Sequence, residues 1–194
     1  MNNSLQNTQN QVSKGSIQDV ANQTDQPLSE VFLDAKYVAI IDISASMDFR
    51  DAFGEGVISI RRFDAAVQAL NGLQASMPGR WIIIEFSSKH QIVPSGSLHS
   101  PSSMTDLASV LRYAKDFNGM GLKFYLISDG EPDSGPLALK VAREWTDPIN
   151  VICVGGAIGS KFMNKLAETT SGIKTDIKQL SAKELESTLK LLSQ

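Results

Sequence analysis

The sequence predicts an α/β fold: a doubly wound, mainly parallel sheet with helices on both faces and one short antiparallel edge strand. Three observations carry that prediction. Four short runs are apolar without alternation: Tyr37-Val-Ala-Ile-Ile41, Trp81-Ile-Ile-Ile84, Lys123-Phe-Tyr-Leu-Ile127 and Ile149-Asn-Val-Ile-Cys-Val154. Runs of this length suit strands covered on both faces. Segments of helical period separate them, and strand alternating with helix is the pattern of parallel strands joined by crossovers. Finally, His90-Gln-Ile-Val-Pro94 follows the second run too closely for a parallel crossover. It is therefore expected as an antiparallel hairpin partner at the sheet edge, where Pro94 is tolerated.

Taken in order, residues 1–31 are dominated by Asn, Gln, Ser and Thr, with no aromatic residue and few aliphatic ones. Such a segment buries too little apolar surface to offset chain entropy, so a flexible polar tail is expected there. A single domain is expected over residues 32–194. Helices are predicted at about 61–76, 105–117, 135–145, 160–170 and 181–192 from the apolar period. In the second of these, Leu107, Val110, Leu111 and Ala114 share one face. The last opens on Ser181-Ala-Lys-Glu184, a capping-box spacing, and presents Leu185, Leu189 and Leu192 to the core.

Composition removes several classes of function. Hydrophobic residues make up 42% and charged residues 20% of the 194, which supports a real core. A net charge of -3 argues against a dominant nucleic-acid surface. No apolar stretch approaches a membrane span, and no apolar h-region marks a secretory signal. The single cysteine, Cys153, lies inside an apolar run, where a small buried thiol is expected rather than a nucleophile. These exclusions together predict a cytoplasmic protein with no nucleic-acid or membrane partner.

In an open sheet of this kind ligands bind beyond the carboxyl ends of the strands. Asp42-Ile-Ser-Ala-Ser-Met47 follows the first run, and Ser128-Asp129-Gly-Glu-Pro-Asp133 follows the third. Ser102-Ser-Met-Thr105 stands between them at the start of a helix. These are carboxylates and hydroxyls without a nearby His or Cys cluster, a donor set for Mg²⁺, Mn²⁺ or Ca²⁺ rather than zinc or copper. A dication held by only two strand-end carboxylates, Asp42 and Asp129, keeps positions open for an anionic ligand from outside.

The same residues carry a family resemblance. Asp42-Ile-Ser-Ala-Ser46 resembles the Asp-x-Ser-x-Ser motif of von Willebrand factor A domains, the signature of their metal ion-dependent adhesion site. Thr105 is similar to the second-loop threonine of that family, and Asp129-Gly-Glu-Pro132 resembles its third-loop motif. Val151-Ile-Cys-Val-Gly155, Leu166-Ala167 and Thr170-Ser-Gly172 resemble its last strand, helix and turn, so the likeness spans about residues 35–192. It implies a Rossmann-like fold and a divalent cation, Mg²⁺ first, with Ser44 and Ser46 as direct ligands. Thr105 would be a ligand whose engagement changes with state, and Asp42 and Asp129 would act partly through water. The last position would go to an Asp or Glu of a protein partner, within a multiprotein assembly such as an AAA+ ATPase-linked or stress-resistance system. One departure stands out: Ser103-Met104 precedes Thr105 where the family often has Gly-Gly, and Ser102 or Ser103 could supply the hydroxyl instead.

Other signals carry less. Gly155-Gly-Ala-Ile-Gly159 lacks the spacing of a dinucleotide fingerprint and is expected to be a tight strand-to-helix turn. His90 and His99 have no identified partner and are expected to be solvated loop residues. The acidic loop from Asp48 to Ile60 is expected to be exposed, and Arg61-Arg62 is too small a basic group for nucleic acid. A non-enzymatic, metal-bridged protein-binding module is therefore the leading expectation. The alternative is a Mg²⁺-dependent phosphohydrolase or nuclease on the same oxygen cluster. It is disfavoured because the chain shows no P-loop, no Asp-x-Asp pair and no placed general base.

Overall fold

The computed structural model describes residues 11–53, 59–130, 132–154 and 160–177, with Ser187. In chain order the elements are α1 (Ile17–Thr24), α2 (Leu28–Leu33), β1 (Tyr37–Asp42), β2 (Arg50–Phe53), β3 (Ser59–Arg61), α3 (Arg62–Ser76) and β4 (Trp81–Phe86). There follow β5 (His90–Ile92), α4 (Leu107–Ala114), β6 (Lys123–Ser128), α5 (Gly135–Ala142), β7 (Ile149–Val154), α6 (Ser160–Thr169) and β8 (Lys174–Ile177).

Six strands form one sheet in the order β5-β4-β1-β6-β7-β8. All neighbours are parallel except β4 and β5, which pair antiparallel with Glu85 opposite Gln91. The four apolar runs are thus β1, β4, β6 and β7, and the short hairpin strand ends at Ile92, just before Pro94. Strand alternation sends Val38 and Ile40 to one face, with Leu107, Val110 and Leu111 of α4, Val141 of α5 and Leu166 of α6. Ala39 and Ile41 go to the other face, with Phe63, Ala66, Leu70 and Leu73 of α3. Every residue of β4, and all of β1 but Tyr37, is buried. This is the physical reason these runs do not alternate in polarity.

Three findings differ from the sequence-based expectation. The expected tail, residues 1–31, is ordered structure from residue 11 onward, while residues 1–10 lie outside the described residues. Ser16 caps α1 by accepting from the Asp19 N–H at 3.1 Å. Ile17, Ala21 and Val31 then enter the core on the α4 side. Gly15 has φ +78°, and a Cβ there would lie 2.1 Å from the Gln74 carbonyl oxygen, so only glycine lets the segment lie against the end of α3. A few well-spaced apolar side chains suffice because the segment completes an existing core rather than forming its own. Second, the acidic loop after Asp48 contains a two-stranded antiparallel hairpin, β2 with β3. Third, β8 adds a parallel strand beside β7 that its mixed sequence does not announce. The glycine-rich turn 155–159 and, apart from Ser187, the predicted helix 181–192 fall outside the described residues.

Candidate metal centre

The parallel strands β1 and β6 are neighbours, and their carboxyl ends deliver Asp42 and Asp129 to the same rim. Asp42 is the last residue of β1 and fully buried. Its Oδ1 accepts from the Ser44 N–H at 2.7 Å and its Oδ2 from Ser128 Oγ at 2.6 Å. Burial pushes the Asp42 carboxyl up to about 6, against the opposing effect of the hydrogen bonds from Ser128 and Ser44. The chain then turns through a short 3-10 segment, Ala45–Asp48, anchored by the wholly buried Met47 in the α3-side core. The turn carries Ser44, which is buried, and Ser46, which is half-buried. Ser44 Oγ lies 3.1 Å from Ser46 Oγ, and Ser46 Oγ donates to Asp129 Oδ1 at 2.9 Å.

Thr105 reaches the site by backbone rather than side-chain contacts. The loop that carries it is tied to the first loop through Ser102 N–H to the Ile43 carbonyl at 2.8 Å and Ala45 N–H to the Ser103 carbonyl at 3.1 Å. It is tied to the third loop through Thr105 N–H to Asp133 Oδ2 at 3.1 Å and Asp133 N–H to the Thr105 carbonyl at 3.1 Å. Among the described contacts, the Thr105 hydroxyl bonds none of the other four candidates. Ser103, one of the two residues that stand where the resembled motif has glycine, adopts φ +65°, the left-handed region. A serine there is strained by about 1 kcal/mol.

The donor chemistry fits a small hard cation. Oxygens arranged octahedrally at ~2.1 Å from Mg²⁺ lie about 3 Å from one another. The Ser44–Ser46 and Ser46–Asp129 oxygen separations of 3.1 and 2.9 Å match that edge. Among the described residues no group of three or more His, Cys, Asp or Glu could hold a metal, so any cation here would depend on hydroxyls.

Several participants are not evident from the sequence. Arg62, at the first turn of α3, donates Nη1 to Asp129 Oδ2 at 2.6 Å and so takes the oxygen that Ser46 leaves. Only its position in the fold, 67 residues before Asp129, makes it a neighbour. Ser128 pairs with Asp42 from the adjacent strand, and Asp133 fastens Thr105. His99 is exposed, as expected, but has a partner the sequence did not name: its N–H lies 2.8 Å and its Nδ1 2.5 Å from the buried carboxylate of Glu85. His90 lies against the ring of Tyr113, with centroids 4.6 Å apart. The acids of the first loop are also partnered, Asp48 with Arg61 and Asp51 with Arg62.

Fold and rim together define an α/β domain with a hydroxyl-rich oxygen cluster at the carboxyl ends of its central strands. Its fold is that of the von Willebrand factor type A domains. The structure is similar to BatB from Bacteroides thetaiotaomicron, with TM-score 0.55 and 13% identity over 82% of this chain and 97% of that one. It is also similar to the ArnB paralog VWA2 from Sulfolobus acidocaldarius, with TM-score 0.56 and 21% identity over 80% of this chain and 44% of that one. A von Willebrand factor type A protein from Catenulispora acidiphila gives TM-score 0.59 and 16% identity over 82% and 42%. The chain therefore spans less than half the length of the latter two. No family model matches the sequence, and no curated protein is significantly similar to it. Among the described residues, no helix is long and apolar enough to cross a membrane.

Proposed function

We propose that this chain is a non-enzymatic binding module that holds a divalent cation, Mg²⁺ by its donor set, and through it grips a carboxylate of a partner protein. One observation carries the reading: Ser44, Ser46 and Asp129 present contiguous oxygens at the spacing of an octahedral edge, on the rim where β1 and β6 end. Ser44 and Ser46 would be the direct ligands, with Asp42 and Asp129 supplying charge and Thr105 joining as the second loop moves. Both oxygens of each carboxylate already accept a hydrogen bond, so neither stands free to take a proton as a general base. The vWA fold supports an interaction module, proposed here to act within a multiprotein assembly. A cytoplasmic setting, and an AAA+-linked or stress-resistance context for that assembly, belong to the same proposal.

Titration of Mn²⁺ into the metal-free chain tests the first half. A single site that is lost in Ser44→Ala/Ser46→Ala supports the reading, and no binding to the native chain sinks it. Partner capture from extract tests the second half, since a carboxylate bridge must release its partner when EDTA is added. Turnover of a generic phosphoester that depends on Mg²⁺ and on Asp129 would replace the module with an enzyme.

A further inference from the structure

Arg62 lies inside the cluster but has no part in the function proposed above, on which this inference rests. Its guanidinium is held on three sides. Nη1 donates to Asp129 Oδ2 at 2.6 Å, Nε donates to Asp51 Oδ1 at 2.7 Å, and Nη2 donates to the second oxygen of Asp51. The ring of Phe49 lies over it, 5.5 Å from Cζ to centroid. The Arg62 side chain is 13% exposed and that of Asp129 2%. This is a largely desolvated charge seated on a carboxylate whose other oxygen accepts from Ser46.

A dication bound at Ser44, Ser46 and Asp129 would stand beside this positive charge. In such a poorly solvated place two cations sharing one carboxylate repel strongly, and each weakens the other's hold. Arg62 is also a tether. Asp51 belongs to β2, and the backbone N–H of Arg62 bonds the Phe49 carbonyl at 3.0 Å, while Phe49 N–H bonds the Ser46 carbonyl at 3.2 Å. The return strand β3 pairs with β2 and is itself fastened through Arg61 to Asp48 and Asp64, while Asp51 on β2 is the residue that Arg62 holds. Movement of the Arg62 side chain therefore acts on β2 and Phe49 in particular.

We propose that Arg62 is a built-in cation that competes with the metal for Asp129, so that metal loading and the docking of β2 are coupled. Metal entry draws Asp129 away from Arg62, the Arg62–Asp51 fork turns outward, and β2 with the exposed Phe49 shifts at the mouth of the site. By reciprocity, a partner that pulls β2 outward strengthens metal binding.

The test uses the full chain with Mn²⁺ as probe, read by the electron paramagnetic resonance of the free ion, and amide hydrogen exchange over residues 49–53. Arg62→Gln is expected to bind Mn²⁺ about tenfold tighter than the native chain, a typical coupling between linked sites. Arg62→Lys keeps the charge but loses the planar fork, and should fall between the two. In the native chain Mn²⁺ should speed exchange in β2, whereas in Arg62→Gln those amides should exchange quickly with or without metal. Asp51→Ala keeps the Arg62–Asp129 pair and cuts the tether, so its β2 exchange should ignore Mn²⁺; this variant decides the matter should Arg62→Gln not fold. Equal or weaker Mn²⁺ binding by Arg62→Gln, beside normal binding by the native chain, overturns the competition while leaving the metal site standing. Absence of Mn²⁺ binding in every form overturns both.

Discussion

Thr105 and Asp133 bond each other reciprocally: the Thr105 N–H donates to the Asp133 carboxylate, and the Asp133 N–H returns a bond to the Thr105 carbonyl, both at 3.1 Å. The pair joins two loops that share no strand pairing, and its one exposed side chain adds to the backbone bonds that tie the second loop to the first.

Asp133→Ala should therefore loosen Thr105 without damaging the core. A single exposed hydrogen bond contributes about 1 kcal/mol or less, so the melting temperature should change little. If Thr105 ligates the metal, Mn²⁺ affinity should fall by up to about fivefold, the factor equivalent to that energy. Calorimetric titration of the variant checks both, and unchanged affinity would free Thr105 from any dependence on the third loop.

Ser103→Gly should stabilise the chain. It relieves the left-handed strain at φ +65° but gives up the exposed bond from Ser103 Oγ to Ser88. The net gain is expected to be about 0.5 kcal/mol, read as a higher urea midpoint at constant slope.

The Asp42 carboxyl predicts two opposite responses to pH. Its folded value, about 6, lies above the ordinary 3.8, so the folded state binds this proton more tightly than the unfolded chain does. The Asp42 contribution to metal-free stability accordingly falls as pH rises from about 4 to about 6. Metal binding needs the ionised form, so affinity should drop as pH is lowered through 6. Comparing the native chain with Asp42→Asn, by thermal melts and by Mn²⁺ titration at pH 5 and pH 7, isolates the two effects.

Glu85→Ala should be costly although Glu85 lies outside the candidate cluster. The buried carboxylate accepts from the His99 N–H, from Gln91 Nε2 at 2.6 Å, and lies 2.5 Å from His99 Nδ1. Removing it strands several donors and should destabilise the chain by about 2–3 kcal/mol. Chemical denaturation gives that number directly, and a loss below 0.5 kcal/mol would show that water replaces the carboxylate there.

Much of this fold was legible because burial on both faces leaves a plain mark. The runs at Tyr37, Trp81, Lys123 and Ile149 are short and nearly unbroken in apolar residues, as strands covered on both faces are, and Pro94 tells where the edge is. The meeting of Asp42, Ser44, Ser46 and Asp129 at one rim was legible for a related reason, since neighbouring parallel strands end on the same side. What stayed hidden depends on distance in sequence. Arg62 and Asp129 are joined only by tertiary packing, and neither has a local pattern that names the other. Ile17, Ala21 and Val31 were hidden by dilution: three apolar residues among many amides look like a tail until a ready-made core receives them. The φ of Ser103 was hidden by its type, because serine does not advertise the left-handed region as glycine would.

The amino-terminal segment also bears on how this chain behaves in company. Ser13 N–H bonds the Ser95 carbonyl at 2.8 Å and Gln18 N–H bonds the Pro94 carbonyl at 3.0 Å, immediately beyond the edge strand β5. These bonds occupy acceptors that an extended peptide from a second molecule would otherwise meet, and open sheet margins are where chains recruit one another into aggregates. Cleavage after residue 18 would strip that cover and expose the apolar patch beneath Ile17. A shortened chain beginning at residue 19 is thus expected to turn cloudy at concentrations where the longer one stays clear.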